Sequence, residues 1–144
     1  LDTERGYHFM LPSMEPGPTR PLLYGDYGFA LSPMEDGIRL AHGVELASLH
    51  APPNYDWVRR LLPHAKRMLP ALDTHENSRW LGFRPTLPDS RPVIGGSPVH
   101  SDVFLAFGHQ HYGLSLGPLT GRLVADLVAR RNPGVDLSPF RAHR

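Results

Sequence analysis

The stretch FGHQHYGLSLGPLTGRLVADL, residues 107–127, constrains this chain more than any other. Val103-Phe104-Leu105-Ala106-Phe107 leads into it, an apolar run that reads as a short buried strand because β-branched and aromatic side chains suit a pleated, covered surface. A loop of Gly, His, Gln, His and Tyr follows. Beyond it Leu116, Leu119, Leu123, Val124, Leu127 and Val128 recur at helical spacing, with Pro118 read as a first-turn proline. The order is strand, Gly-rich turn, helix, and the helix N-terminus faces the turn. Unpaired first-turn N–H groups and aligned peptide dipoles favour negative charge, so an anion, or a group that becomes anionic, is expected beside residues 113–117. Gly113, Gly117 and Gly121 fall four apart on one helix face, which lets a planar ligand or a strand approach the backbone. Glycines serving only as clearance for a helix packed on a sheet are the plainer reading of the same spacing.

The remainder of the chain reads as strands first and a helix after. Tyr7, Phe9 and Leu11 alternate with His8 and Met10, which predicts a strand over residues 5–11. PSMEPGPTRP is a loop. Two strand-like runs, Tyr24 to Ser32 and Gly37 to Leu46, are joined by Pro33-Met34-Glu35-Asp36-Gly37, whose Asp-Gly pair supplies the positive φ of a tight hairpin. Short connections of this kind imply an antiparallel sheet. Val58, Leu61, Leu62, Ala65, Met68 and Leu69 then mark one side of a helix, which Pro63 should kink or split and Pro70 should end. Arg59, Arg60, Lys66 and Arg67 lie off that stripe and read as a solvated face.

Composition closes off several function classes. The 144 residues carry 15 basic and 14 acidic groups, a net charge of +1 that gives no footprint for nucleic acid or an anionic membrane. There is no cysteine, which excludes disulfides and thiolate metal sites. No apolar run has the length to cross a bilayer, and no signal-type hydrophobic stretch is present.

Two further groups bear on chemistry. Arg84 precedes Pro85, which disfavours the helical region and holds Arg84 extended. A guanidinium presented from a strand can clamp a carboxylate through two parallel hydrogen bonds, and an exposed arginine on an edge strand is the competing reading. His109 and His111 flank Gln110, and His8, His42, His50, His64, His75, His100 or His143 could complete a metal site with them. No Asp or Glu adjoins the pair in sequence, so rings lining a ligand pocket are the preferred reading and a metal the lesser one. Asp89, in PTLPDSRPVIGG, reads as a turn cap, and DLSPFRAHR at the end as irregular surface chain.

GHQHYGLSLGPLTGRLVADL, preceded by WLGFRPTLPDSRPVIGG at 80–96, resembles the C-terminal part of the FAD-dependent amino-acid oxidoreductases, the group of D-amino-acid dehydrogenases and oxidases, glycine oxidase and sarcosine oxidase. The resemblance runs from LDTERGYHFML to DLSPFRAHR. It implies an α+β fold: an antiparallel substrate-domain sheet with one or two covering helices over residues 1–81, and a C-terminal strand, Gly-rich loop and helix of the FAD-binding domain over 82–144. It implies that Gly108, His109, Gln110, His111, Tyr112, Gly113, Leu114 and Ser115 contact the flavin and that Arg84 anchors the substrate carboxylate; of the histidines, His111 is the one best placed to touch substrate or flavin. The sheet would floor the substrate pocket.

The resemblance further implies oxidation of the α-amine of a D-amino acid, or of a small secondary amino acid, by hydride transfer to FAD, giving an imino acid and then an oxo acid and ammonia. No side chain need serve as catalytic acid or base if the amine enters deprotonated. The dinucleotide-binding GxGxxG turn does not occur in the chain, so the Rossmann part is expected upstream or on a partner chain, and the isolated chain is expected to be inactive. The expected location is the cytoplasm, or the inner face of the membrane where a dehydrogenase would meet a membrane electron acceptor. The alternative is a stand-alone, non-catalytic module binding an anionic ligand at the helix N-terminus.

Overall fold

Alternation decides the first element: along β1 (Asp2–Leu11) Tyr7, Phe9 and Leu11 are buried while His8 and Met10 are half-buried. The computed structural model describes residues 2–144. These divide into two compact units, one comprising residues up to Glu4 with Arg84–Arg144, the other Arg5–Phe83. The chain is α+β, with antiparallel pairing in both of its sheets.

In the unit Arg5–Phe83, β3 (Phe29–Met34) and β4 (Gly37–Leu46) form the expected hairpin, with Met34 opposite Gly37 and Glu35-Asp36 as the turn. The positive φ falls at Gly37, at 136°, and a Cβ there would stand 2.1 Å from the Leu11 carbonyl oxygen. Only glycine fits. The run Tyr24 to Ser32, expected as one strand, is two. β2 (Leu22–Tyr24) ends in a 3₁₀ turn, Gly25–Tyr27, and folds back antiparallel on β3 with Leu22 opposite Leu31. The Gly28 N–H closes that turn on the Gly25 carbonyl, a local bond that competes with continued pairing. The sheet runs β2, β3, β4, β1, β5, the last being Ser78–Thr86.

Pro63 divides the predicted helix as its missing N–H requires. α1 (Asp56–Arg59) stops before it, and α2 (Leu62–Met68) takes it into the first turn, where no N–H is needed. Val58, Leu61 and Ala65 bury themselves with Phe9, Leu11, Phe29, Leu31 and Leu40 in one cluster. Arg59, Arg60, Lys66 and Arg67 are exposed.

A charged residue is locked into this unit. Arg5 is fully buried, with Nε 3.2 Å from a Glu45 carboxylate oxygen, and it donates to the Ser48 and Pro52 carbonyls at 3.4 and 3.2 Å. The Tyr7 hydroxyl donates to the same carboxylate and accepts the Asn54 N–H at 3.3 Å.

In the other unit, β6 (Val93–Gly96) and β7 (Phe104–Phe107) pair antiparallel, Val93 opposite Phe107, and α3 (Gly113–Val128) packs on both. Val93, Ile94 and Leu123 are buried there. β7 departs from the buried strand expected, because Ala106 and Phe107 are exposed and no layer of the described residues lies over them. Pro118 departs too: α3 begins five residues before it, so the proline lies inside the helix and not in a first turn.

The tail also departs from an irregular path. Ser138–Phe140 forms a 3₁₀ turn against β6, and Arg144 grips Asp89 with Nε at 2.5 Å and Nη2 at 2.9 Å. Asp89 still caps its own turn, accepting the Arg91 N–H at 3.2 Å. The Arg144 hydrogen bonds hold the Asp89 carboxyl well below the ordinary carboxylate range.

Two predictions follow from these ion pairs, both read by denaturant unfolding. Glu45→Gln strands a fully buried cation and should cost about 3–5 kcal/mol. Arg5→Met leaves a carboxylate on a side chain 23% exposed, still bonded to Tyr7, and should cost less, about 1–3 kcal/mol. The reverse order would refute Arg5 as the constrained partner. Because Asp89 is depressed in the folded state, its pairing stabilises above the unfolded-state pKa of about 3.9 and the contribution is lost as pH falls through the lower folded value. The stability gap between wild type and Arg144→Ala should therefore be present at neutral pH and close in strong acid; a gap constant with pH would show that Arg144 acts only by packing.

Candidate functional site

The loop between β7 and α3 is shaped by its fit to residues 87–92. Gly108 is buried with φ at 81°, and a Cβ there would stand 2.6 Å from Leu87 Cδ1. Gln110 adopts a left-handed φ of 50°, uncommon for a residue with a side chain, and its Nε2 reaches the Leu87 carbonyl at 3.4 Å. The His109 ring meets the buried Thr120 hydroxyl of α3 at 2.9 Å, and the Tyr112 N–H returns to the His109 carbonyl at 2.9 Å. The loop is thereby tied to the segment before it and to the helix after it.

The two histidines diverge. His111 Nε2 lies 3.1 Å from a Glu4 carboxylate oxygen; the carboxylate only accepts, so the ring nitrogen donates. Glu4 is the acidic neighbour that the local sequence did not reveal, separated from His111 by 107 positions. With His109 on Thr120 and His111 on Glu4, the pair is not turned to a common ligand. Among the described residues no group of three or more His, Asp or Glu is arranged to hold a metal ion.

Gly113, Leu114 and Ser115 form the first turn of α3, whose first intrahelical bond is Leu116 N–H to the Tyr112 carbonyl at 2.8 Å. Tyr112, at the N-cap, makes no side-chain capping bond, so the turn's N–H groups are left for another acceptor. The surface around them is apolar and uncovered, with Leu114 96% and Tyr112 64% exposed. No Asp, Glu, Lys or Arg occurs from residue 103 to 121. A Cβ on Gly117 or Gly121 would meet nothing within 4 Å. Among the described residues, clearance for packing is thus not what these two glycines provide, and the helix face is open there.

Arg84 lies on β5, half-buried and extended as the following proline requires, in the same unit as the loop and α3. One compact unit therefore carries both a guanidinium on a strand and a helix N-terminus with no capping side chain and no acidic or basic residue in its first turn, behind a fixed loop.

Residues 1–127 match the DAO family, FAD dependent oxidoreductase. The chain is 38% identical over its whole length to a D-amino-acid oxidase of Bradyrhizobium diazoefficiens and 33% identical over 88% of its length to a glycine oxidase of Bacillus subtilis. It spans 35% of the length of each of these curated relatives. The crystal structure of glycine oxidase from Geobacillus kaustophilus superposes on 99% of the chain, and 39% of its own, with a TM-score of 0.83 at 27% identity. With the family match extending through the Gly-rich loop and nearly all of α3, the chain belongs to the DAO family of FAD-dependent oxidoreductases.

Proposed function

We propose that the protein containing this chain oxidises the α-amine of a D-amino acid or a small secondary amino acid, with residues 82–144 contributing to the flavin site and Arg84 holding the substrate. The observation that carries this reading is the uncapped, charge-free N-terminus of α3 in a chain of the DAO family. The names of its relatives, D-amino-acid oxidase and glycine oxidase, support the substrate class.

The residues present fit FAD. The N–H groups of Gly113, Leu114 and Ser115 would face it, the Gly117 and Gly121 positions have room for it, and no charged side chain of residues 103–121 would oppose it. Bound FAD supplies the two-electron acceptor for the amine. The first-turn N–H groups and the helix dipole stabilise negative charge that develops beside them, without reorganising to do so. Gly108 to Tyr112 hold those N–H groups in place, since the loop is tied to Leu87 and Thr120.

Arg84 takes the two carboxylate oxygens of the substrate through its planar fork, fixing the amino acid by one end so that the Cα–H has a single presentation. His111, steadied by Glu4, lies in the same loop and contacts substrate or cofactor beside that end. An amine that arrives deprotonated needs no general base, and the imine produced is hydrolysed by water to an oxo acid and ammonia. The stand-alone anion-binding module receives no support from the family match or from the chain's coverage of its relatives.

The test is Arg84→Ala in the full-length holoprotein. KM for an amino acid should rise about tenfold to a hundredfold, the worth of a lost charge-assisted pair, while the flavin absorbance stays as in wild type. An unchanged KM would remove Arg84 from the substrate; loss of flavin in this variant would move its role to the cofactor.

A further inference from the structure

The sheet of the unit Arg5–Phe83 has a second face that α1 and α2 do not cover. Ile38 and Leu40 of β4 point into the core, so Arg39 between them points to the other side, as does His8 between Tyr7 and Phe9 of β1. Trp80 of β5 stacks on His8, ring centroids 5.1 Å apart and planes 19° from parallel. Its indole lies across Gly82, where a Cβ would be 1.8 Å from the ring, so the glycine is what allows the ring to lie flat. Trp80, His8 and Arg39 thus form a row over three neighbouring strands, β5, β1 and β4.

Arg39 ends this row without a partner. Its Nε is buried and makes no hydrogen bond, and among the described residues it enters no ion pair. A buried guanidinium nitrogen stripped of water and left unbonded is costly, and native proteins rarely tolerate one unless something else satisfies it. Arg39 lines an open cavity of about 650 Å³ with Met10, Pro33, Met34, Glu35 and Asp36. The two acids sit on the hairpin turn, neither paired with it. The cavity is large enough for a small molecule, has an apolar wall, and offers one planar cation.

We propose that this face binds a small organic carboxylate, its oxygens taken by the Arg39 fork and its apolar body lying along Met10 and Met34. Binding at Arg39 does not depend on the amine-oxidation reading; only a substrate side chain as the source of the carboxylate rests on it. The site binds the same chemistry whether the carboxylate is part of a substrate side chain or a separate molecule.

His8 reports occupancy. Burial first, and then the charge of Arg39, hold its ring below the ordinary histidine pKa. Of the strands beside β1, β4 brings Arg39 to the ring and β5 the uncharged Trp80. A carboxylate on Arg39 neutralises the repelling charge, so binding should raise the His8 pKa.

The experiment adds phenylacetate to the full-length holoprotein carrying Arg84→Ala, which removes the other proposed carboxylate anchor. Binding is followed by calorimetry, and the His8 ring by NMR, its signal identified by loss in His8→Gln. One saturating equivalent and a raised His8 pKa are expected, with Arg39→Met weakening binding about tenfold or more and Arg39→Lys weakening it less. If Arg39→Met does not fold, the His8 pKa with and without phenylacetate still decides. The absence of saturable binding, an unmoved His8 at saturation, or full affinity in Arg39→Met overturns the site. Turnover in the Arg84-intact protein then identifies the source. A loss in kcat/KM confined to acidic amino acids in Arg39→Met marks a substrate side chain, and unchanged turnover with lost phenylacetate binding marks a separate molecule. Failure of all amine oxidation would refute the proposed reaction and leave the phenylacetate result standing.

Discussion

The unit Arg5–Phe83 depends on a fully buried cation. Arg5 bonds in three directions, to Glu45 at the far end of β4 and to the carbonyls of Ser48 and Pro52 in the connection to α1. A methionine of similar volume would fill the same space and direct nothing. Through Arg5 the path of residues 48–52 is fixed, and through the Tyr7 hydroxyl, which holds both Glu45 and the Asn54 N–H, so is the residue that leads into α1. Burial, with the Glu45 bond next, raises the Tyr7 hydroxyl pKa, so it remains a donor across the physiological range. α1 and α2 then deliver Val58, Leu61 and Ala65 onto the sheet. The packing on one face is thus set by a polar network at its rim.

The second unit has the opposite character, for its defining helix carries more apolar surface than it buries. Leu114, Leu119 and Val128 are exposed, and β7 leaves Phe107 uncovered. Exposed apolar surface of that kind marks a place where something else docks. The same fact explains a misreading. An apolar run such as 103–107 has a strand's composition whatever lies over it, so its pattern predicted a covered strand where Val103, Ala106 and Phe107 are exposed.

What was legible in the sequence was what local sterics dictate. Gly37 had to follow the hairpin turn, Pro63 had to divide a helix, and Pro85 had to keep Arg84 extended, because each acts on its own backbone or its neighbour's. Pro118 shows the limit of such rules. A proline lacks one N–H wherever it stands, and only the bond from Leu116 to the Tyr112 carbonyl shows that the helix had begun before it. Glu4 with His111, and Asp89 with Arg144, are separated by 107 and 55 positions, and no local pattern announces either pair. Nor does composition reveal that one arginine, Arg5, is fully buried and ion-paired through its Nε with Glu45, while the buried Nε of another, Arg39, has neither a hydrogen bond nor an ion pair.

Gln110 carries the remaining step. A left-handed backbone costs a residue with a Cβ about a kcal/mol or more, and the loop retains it although glycines stand at 108 and 113. The side chain is what a glycine would lack: its amide reaches the Leu87 carbonyl, and so ties the loop to the segment that Gly108 already touches. The strain is therefore offset by a bond that sets the angle at which the chain passes into α3. The first-turn N–H groups at 113–115 follow directly on that passage, so Gln110 joins Gly108 and the His109–Thr120 bond in setting how the chain enters the helix.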